Sequence, residues 1–343
     1  MASKSISRNA VVMTSPLQSE LVSRPISFDG LAPDQLLVET EYTVISAGTE
    51  MAIYQGIESW AKLPFEPGYG NVGHVVEAGR AIADKYAPGD RVMYYGPHAS
   101  INVAGGFFVK IPDDVTSRIA PLAARIGQVA FTSRRVSTAE LGDYVVVQGL
   151  GLVGNLAAQL FRLSGARVIG LDVSRKRLDV AKSVGIEHVV NSAEGNVVDA
   201  VREITGGEMA QTVVEATGIP TLTGVAAGLV GTNGEVVLLG TPRGTYEGNA
   251  GDLLMKVHVA SPHVTLKGAL EWIYPYYPAQ GCKHSLFRNV TQLLELTGSG
   301  ALHVDELISH VIQPEETPGV YQELYKRNED YFGVVIDWTS SRK

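Results

Sequence analysis

Directly after the valine run 145–147, the residues Gly149-Leu150-Gly151-Leu152-Val153-Gly154 place three glycines two and three positions apart. The run itself reads as a strand, 144–147, and the residues behind the turn, about 155–164, as a helix. A second strand, 168–171, ends on Asp172, 18 residues after Gly154. A strand, a glycine turn, a helix and a strand closed by an acid is the order a dinucleotide-binding unit requires. Gly149 permits the tight turn, Gly151 allows the backbone to approach a pyrophosphate, and Gly154 allows helix and strand to pack closely. The helix N-terminus, including the N–H groups of Leu152 and Val153, then offers free donors and positive dipole to phosphate. Asp172 is suited to accept hydrogen bonds from both ribose hydroxyls and to repel a 2′-phosphate, which favours NAD over NADP. Arg177 lies close by in sequence, and its cation could tolerate the extra phosphate.

Strands alternating with helices recur after this unit, at 187–190, 197–205, 212–215, 221–229 and 235–239, with a sixth strand at 263–267. That pattern predicts an α/β fold, a doubly wound parallel sheet with helices on both faces. The chain before it is of another kind. Strands at 10–13, 20–23, 35–45, 73–77, 91–95 and 107–111 are separated by turn residues, with no helix-period segment before about residue 120. This part predicts a compact β domain. An apolar helical pattern at 118–137 leads into the first strand of this sheet. Helices at 285–296 and about 317–326, with a strand at 333–337, close the chain, and this tail is expected to return to the β domain.

At 343 residues the chain is long enough for two domains. A net charge of −8 argues against nucleic acid or an anionic membrane as the main partner. The single cysteine, Cys282, excludes an internal disulfide and a cysteine-rich metal site, and fits a reducing compartment. Residues 1–8 are polar and do not form a signal peptide, and no apolar run approaches the roughly 20 residues of a membrane span. The expectation is a cytoplasmic protein with a small-molecule substrate.

Longer motifs resemble the medium-chain dehydrogenase/reductase family of alcohol and polyol dehydrogenases. Gly48-Thr49-Glu50-Met51-Ala52-Ile53-Tyr54-Gln55-Gly56 is similar to the family's Gly-Thr-Asp-Leu-His-x-Tyr-x-Gly segment. The stretch from Pro67-Gly68-Tyr69-Gly70 to Glu77-Ala78-Gly79 resembles its Gly-His-Glu-x-x-Gly-x-Val-x-Glu-x-Gly segment, and Gly89-Asp90-Arg91-Val92 its turn of the same sequence. The glycine turn, Gly240-Thr241 and Leu266-Lys267-Gly268 follow in the family order. The resemblance implies a GroES-like catalytic domain from residues 1–118 and 269–343 around a Rossmann domain at 119–268. It implies a homodimer, and adds Thr217, Gly240 and Thr241 to the cofactor-binding set.

The departures from the family pattern carry chemistry of their own. Zinc-type members hold a catalytic Zn²⁺ with Cys, His and a carboxylate or second Cys. In this register the cysteine position is Ala47, the His-Glu pair is Tyr69-Gly70, the later acid falls near Ala124, and a relay histidine is Ala52. The implied enzyme carries no zinc. Ser46, Thr49, Gly68-Tyr69 and Pro97-His98 resemble one branch, which includes bacteriochlorophyllide hydroxyethyl dehydrogenases and sugar-dehydrogenase-like relatives.

Without metal, hydrogen bonds and a general base must handle the hydroxyl proton of an alcohol. Thr49 occupies the family's proton-relay position. Tyr69 stands where a metal ligand would point, and either donates its phenol to a substrate oxygen or fills the emptied pocket. His98, in a glycine-proline loop, is either a base suited to neutral pH or a hydrogen-bonded structural histidine. Ser46 is a further substrate contact, and Glu50 orients its loop or a basic partner. The aromatic run Trp272, Tyr274 and Tyr276 is suited to stack on a sugar ring or a flat macrocycle; a packed loop or dimer contact is its other reading.

The expected function is an NAD-dependent, zinc-independent oxidoreductase interconverting a secondary alcohol and a ketone, on a sugar, cyclitol or similar molecule. The alternatives are an NADPH-dependent enone or quinone reductase, a hydroxyethyl-tetrapyrrole alcohol dehydrogenase, and an NAD-binding regulatory protein without turnover.

Overall fold

Valine-rich strands buried on both faces need cover on both sides, which a parallel sheet flanked by helices supplies. The computed structural model, which describes residues 4–259 and 263–342, builds that sheet from β8 (Tyr144–Gln148), β9 (Arg167–Asp172), β10 (His188–Asn191), β11 (Ala210–Glu215), β12 (Val230–Leu238) and β13 (Thr265–Gly268). Their order is β10-β9-β8-β11-β12-β13, with every pairing parallel. The chain steps outward from β8 in one direction and then from β11 in the other, so the topological switch point lies between these two strands. Val145, Val146 and Val147 are fully buried at its centre. Helices α2 (Gly127–Val136), α3 (Leu152–Leu163), α4 (Arg175–Ser183), α5 (Val197–Ile204), α6 (Leu222–Ala226) and α7 (Ala250–His258) belong to this unit. Ser174, Asn196 and Asn249 cap α4, α5 and α7 with their side chains.

The β-rich unit is built from an antiparallel ribbon, β1 (Lys4–Ser15) with β2 (Gln18–Phe28), and a seven-stranded sheet. That sheet uses β3 (Gln35–Val44), β4 (Asn71–Ala78), β5 (Arg91–Tyr94), β6 (Ile101–Gly105) and β7 (Phe108–Lys110). It also takes β14 (His310–Ile312) and β15 (Val334–Asp337) from the tail. β15 pairs antiparallel with β3, so the tail does return to the β domain. Trp338, Tyr54, Tyr321, Met13, Ile45 and Ile53 fill one core beneath these strands. Helices α8 (Leu286–Gly298) and α9 (Thr317–Tyr325) complete the unit.

The α/β class with a β-rich second domain is thus the observed architecture. The units divide at Ile126/Gly127 and Tyr274/Pro275, beyond the expected 118/119 and 268/269, and Gly300–Leu307 belongs to the Rossmann unit. The β-rich part is not free of helix: α1 (Ala47–Tyr54) lies inside the first family-like motif. At eight residues, with Ala, Gly and Met interspersed, it offers no apolar stripe for periodicity to detect. The expected 118–137 helix is a π-helical turn, Leu122–Ile126, followed by α2.

Candidate active site

In the Rossmann unit the loops at the carboxyl ends of β8, β11 and β12 converge on the switch point, where open α/β sheets bind their ligands. Gly149 has φ +92°, and a Cβ there would lie 2.7 Å from Thr217 Cγ2. A Cβ on Gly154 would drive into the Gly149 carbonyl oxygen, whereas a Cβ on Gly151 would meet no atom within 4 Å. The three glycines therefore do different things: the first and last let the chain pack on itself, and the middle one leaves space open above the N-terminus of α3. That is the arrangement a pyrophosphate needs.

Asp172 is buried, with Oδ2 accepting the Leu150 N–H at 2.8 Å and Oδ1 the Ser174 N–H at 2.9 Å. Each oxygen retains a second acceptor position, so the carboxylate is held in place with capacity for ribose hydroxyls. Arg177 Nη1 lies 3.6 Å from the same Oδ2. The sequence reading missed Glu215 at the end of β11. It accepts the Thr217 N–H at 2.8 Å, the Thr217 hydroxyl and the Gly218 N–H at 3.2 Å, and so shapes the loop that carries Thr217. Burial pushes its carboxyl above the ordinary range. Gly218 (φ +68°) and Gly240 then pack backbone on backbone, with Thr241 next to them.

The β-rich unit gathers the hydroxyl groups. Ser46 stands at the N-cap of α1 yet makes no side-chain cap bond. Instead its Oγ accepts the Tyr69 hydroxyl at 2.5 Å. Glu50 reaches back one turn of α1, and its Oε1 accepts the Ser46 N–H at 2.7 Å. Thr49 is half-buried on the first turn of the same helix. Tyr69 sits between two glycines that make room for bulky neighbours. A Cβ on Gly68 (φ +109°) would lie 2.7 Å from the His98 nitrogen, and one on Gly70 would lie 2.8 Å from Arg125 Cγ. Arg125 is almost fully buried, and its guanidinium carbon lies 4.3 Å from the centre of the Tyr69 ring.

His98 occupies a different place from the one a base acting on substrate needs. It is 0% exposed, with Nδ1 2.8 Å from Thr43 Oγ1 and Nε2 3.1 Å from Glu50 Oε2. Thr43 Oγ1 also accepts from the Trp338 indole at 3.2 Å, and Glu50 Oε2 accepts the Tyr321 hydroxyl at 2.6 Å. The Glu50 carboxylate can only accept, so it faces an Nε2–H, and Nδ1 is held against the Thr43 hydroxyl. Both ring nitrogens are engaged inside the fold, and the histidine is a structural member of this chain. Burial and the adjacent Glu50 hold the Tyr321 phenol well above its ordinary value. His74, on β4, bonds the Gly89 carbonyl and Glu41.

The aromatic segment is divided. Tyr276 packs on Phe107 and Tyr95, with ring centres 5.6 and 6.1 Å apart, and Tyr277 packs on Phe107 and Phe287. The Tyr277 hydroxyl also accepts the Phe108 N–H at 3.1 Å. Trp272 and Tyr274 belong to the other unit; Trp272 is 46% exposed and Tyr274 half-buried. Tyr276 is thus an anchored member of the β-rich unit, and nothing within either unit brings the three aromatics into one wall.

The donor set at the family's metal position does not fit zinc. Ala47, Gly70 and Ala124 have no side-chain donor, and Tyr69 has given its hydroxyl to Ser46. Among the described residues no group of three or more His, Cys, Asp or Glu side chains is placed to hold a metal.

Residues 153–268 match the family model described as zinc-binding dehydrogenase. Among curated proteins, the chain is 23% identical to an uncharacterized zinc-type alcohol dehydrogenase-like protein of Haemophilus influenzae, over 92% of this chain and 95% of that one. It is 27% identical to D-guloside 3-dehydrogenase of Shigella flexneri, over 78% and 75%. Its fold matches the crystal structure of galactitol-1-phosphate dehydrogenase from Escherichia coli with a TM-score of 0.83, at 18% identity over 96% of this chain and 99% of that one. Residues 153–268 thus match the zinc-binding dehydrogenase model, and over most of its length the chain is similar to alcohol dehydrogenase-like proteins, the resemblance that the motifs at 48–56, 67–79 and 89–92 carry.

Proposed function

We propose that this protein is an NAD-dependent, zinc-independent oxidoreductase that interconverts a secondary alcohol and a ketone on a sugar, cyclitol or similar polyhydroxylated molecule. The observation that carries the reading is the Tyr69–Ser46 hydroxyl pair, 2.5 Å apart, at the position where the family register puts a metal ligand. The likeness to a D-guloside 3-dehydrogenase supports a polyhydroxylated substrate. The glycine turn, Asp172, Thr217, Gly240 and Thr241 would hold the dinucleotide, which supplies or accepts the hydride when bound.

The protein's own task is then the proton. In the reducing direction the Ser46 hydroxyl gives its proton to the substrate oxygen and recovers one from Tyr69 along the existing hydrogen bond. A phenolate remains on Tyr69. In the oxidising direction the same path runs backwards. Glu50 fixes the Ser46 backbone, and the Ser46 hydroxyl makes no capping bond to α1. Thr49, on the first turn of α1, adds a second hydroxyl for the substrate oxygen. Positioned proton transfer of this kind contributes about 10²–10⁴-fold in rate. Homodimerisation through the edge strand β13 belongs to the same proposal: among the described residues β13 is paired on one side only, by β12.

The test is a panel of sugars, cyclitols and simple secondary alcohols assayed with NAD and with NADP. Oxidation of a polyol with NAD is expected; turnover confined to enones or quinones with NADPH would overturn the assignment.

A further inference from the structure

We infer that Arg125 is a positioning residue for the proton chemistry, supplying through Tyr69 the fixed positive charge that a metal provides in zinc-type relatives. The inference rests on the zinc-free Ser46–Tyr69 reading above. Negative charge that arises on Tyr69 when its proton moves to Ser46 needs a cation close by and shielded from water. Arg125 is 3% exposed, and its guanidinium carbon lies 4.3 Å from the Tyr69 ring centre and 5.7 Å from that of Tyr95. Arginine keeps its charge under any condition in which the protein is folded, and its plane suits an aromatic face.

Two features of the backbone are shaped around this contact. Gly70 leaves room for the arginine stem, since a Cβ there would lie 2.8 Å from Arg125 Cγ and 2.9 Å from its Cβ. Arg125 also lies on the π-helical turn Leu122–Ile126, and such turns insert one residue and re-aim the side chains around it, often at functional sites. The family register places a zinc-ligating acid near the neighbouring Ala124. No bond is made or broken at Arg125. The proton passes from Tyr69 to Ser46, and the guanidinium balances the phenolate left behind.

Tetranitromethane modifies tyrosine as the phenolate, so the nitration rate at Tyr69, followed by peptide mass spectrometry, reports charge on that oxygen without any substrate. In Arg125→Met this rate is expected to fall several-fold, while Arg125→Lys, which keeps a cation, stays close to wild type. In the same proteins kcat for the best alcohol of the panel falls about a hundredfold in Arg125→Met and is largely restored by the lysine. An unchanged or faster nitration rate, as loosened packing alone would give, overturns the inference. Arg125→Gln compared with Arg125→Lys gives the same contrast where the methionine variant fails to fold. The zinc content of wild type separates the two claims: stoichiometric zinc overturns the hydroxyl-pair reading and this inference with it. Zinc-free protein with unchanged nitration overturns the inference alone.

Discussion

At the scale of single residues, the β-rich unit separates groups that hold from groups that react. In the proposed mechanism the hydroxyls of Ser46, Tyr69 and half-buried Thr49 serve the proton, while Glu50, His98, Thr43, Tyr321 and Trp338 are joined in a hydrogen-bonded network. Tyr69→Phe and Ser46→Ala should each lower kcat about 10²-fold while NAD binding, measured by fluorescence quenching, stays at the wild-type level. His98→Ala should behave differently. It leaves the Glu50 carboxylate buried without one of its donors, so a loss of about 2–3 kcal/mol in unfolding free energy is expected, with turnover per folded molecule much less affected. A His98→Ala protein of wild-type stability with abolished turnover would return the histidine to the role of base. Tyr69, Ser46 and Thr49 could be singled out in the sequence because they lie inside short family-like motifs. Glu50–Tyr321 spans 271 residues and Glu50–His98 spans 48. No local pattern announces such contacts, so His98 could be noticed in the sequence but its enclosure could not, and Arg125 went unnoticed altogether.

At the scale of elements, the turn between β8 and α3 contains its own control experiment. Gly151→Ala places a methyl in open space, so stability should hold while NAD affinity drops by tenfold or more, because that space is the one a pyrophosphate would enter. Gly154→Ala drives a methyl into the Gly149 carbonyl and should cost about 1–3 kcal/mol in thermal unfolding before any effect on binding is considered. Equal affinity in Gly151→Ala and wild type would contradict the cradle. At the other edge of the sheet, Glu235 ties β12 to β13 and to the end of α2. Burial would raise its carboxyl, but hydrogen bonds from Lys267, Ser137, Thr138 and Thr212 outweigh it and hold the group below its ordinary range. A carboxyl depressed in the folded state contributes stability above its unfolded pKa and loses it as pH falls through the folded one. Unfolding free energy should therefore drop below the ordinary carboxylate range, and Glu235→Gln should flatten that drop while costing about 2 kcal/mol at neutral pH. Denaturant melts at a series of pH values decide it. The Rossmann elements were legible because each needs only local information: a valine run, a glycine turn, an acid at a strand end. α1 was not, being too short to show a period, and the packing of Tyr276 and Tyr277 was not, because their partners Phe107, Tyr95 and Phe287 are remote in sequence.

At the scale of the whole molecule, the chain joins a dinucleotide-type sheet to a β domain whose family metal position holds a tyrosine, two glycine-sized gaps and a buried arginine. No helix among the described residues is long and apolar enough to cross a membrane. The unpaired side of β13 makes a two-chain mass in light scattering the expected result, and a monomer at micromolar concentration would remove the dimer proposal. The proposed function depends most on the claim that hydroxyl groups stand in place of a metal. The direct test is the zinc content, by elemental mass spectrometry, of protein dialysed against a chelator and assayed for polyol oxidation with NAD. The account predicts full turnover with zinc far below one ion per chain; one tightly held zinc per chain, with activity lost as it is stripped, would contradict it.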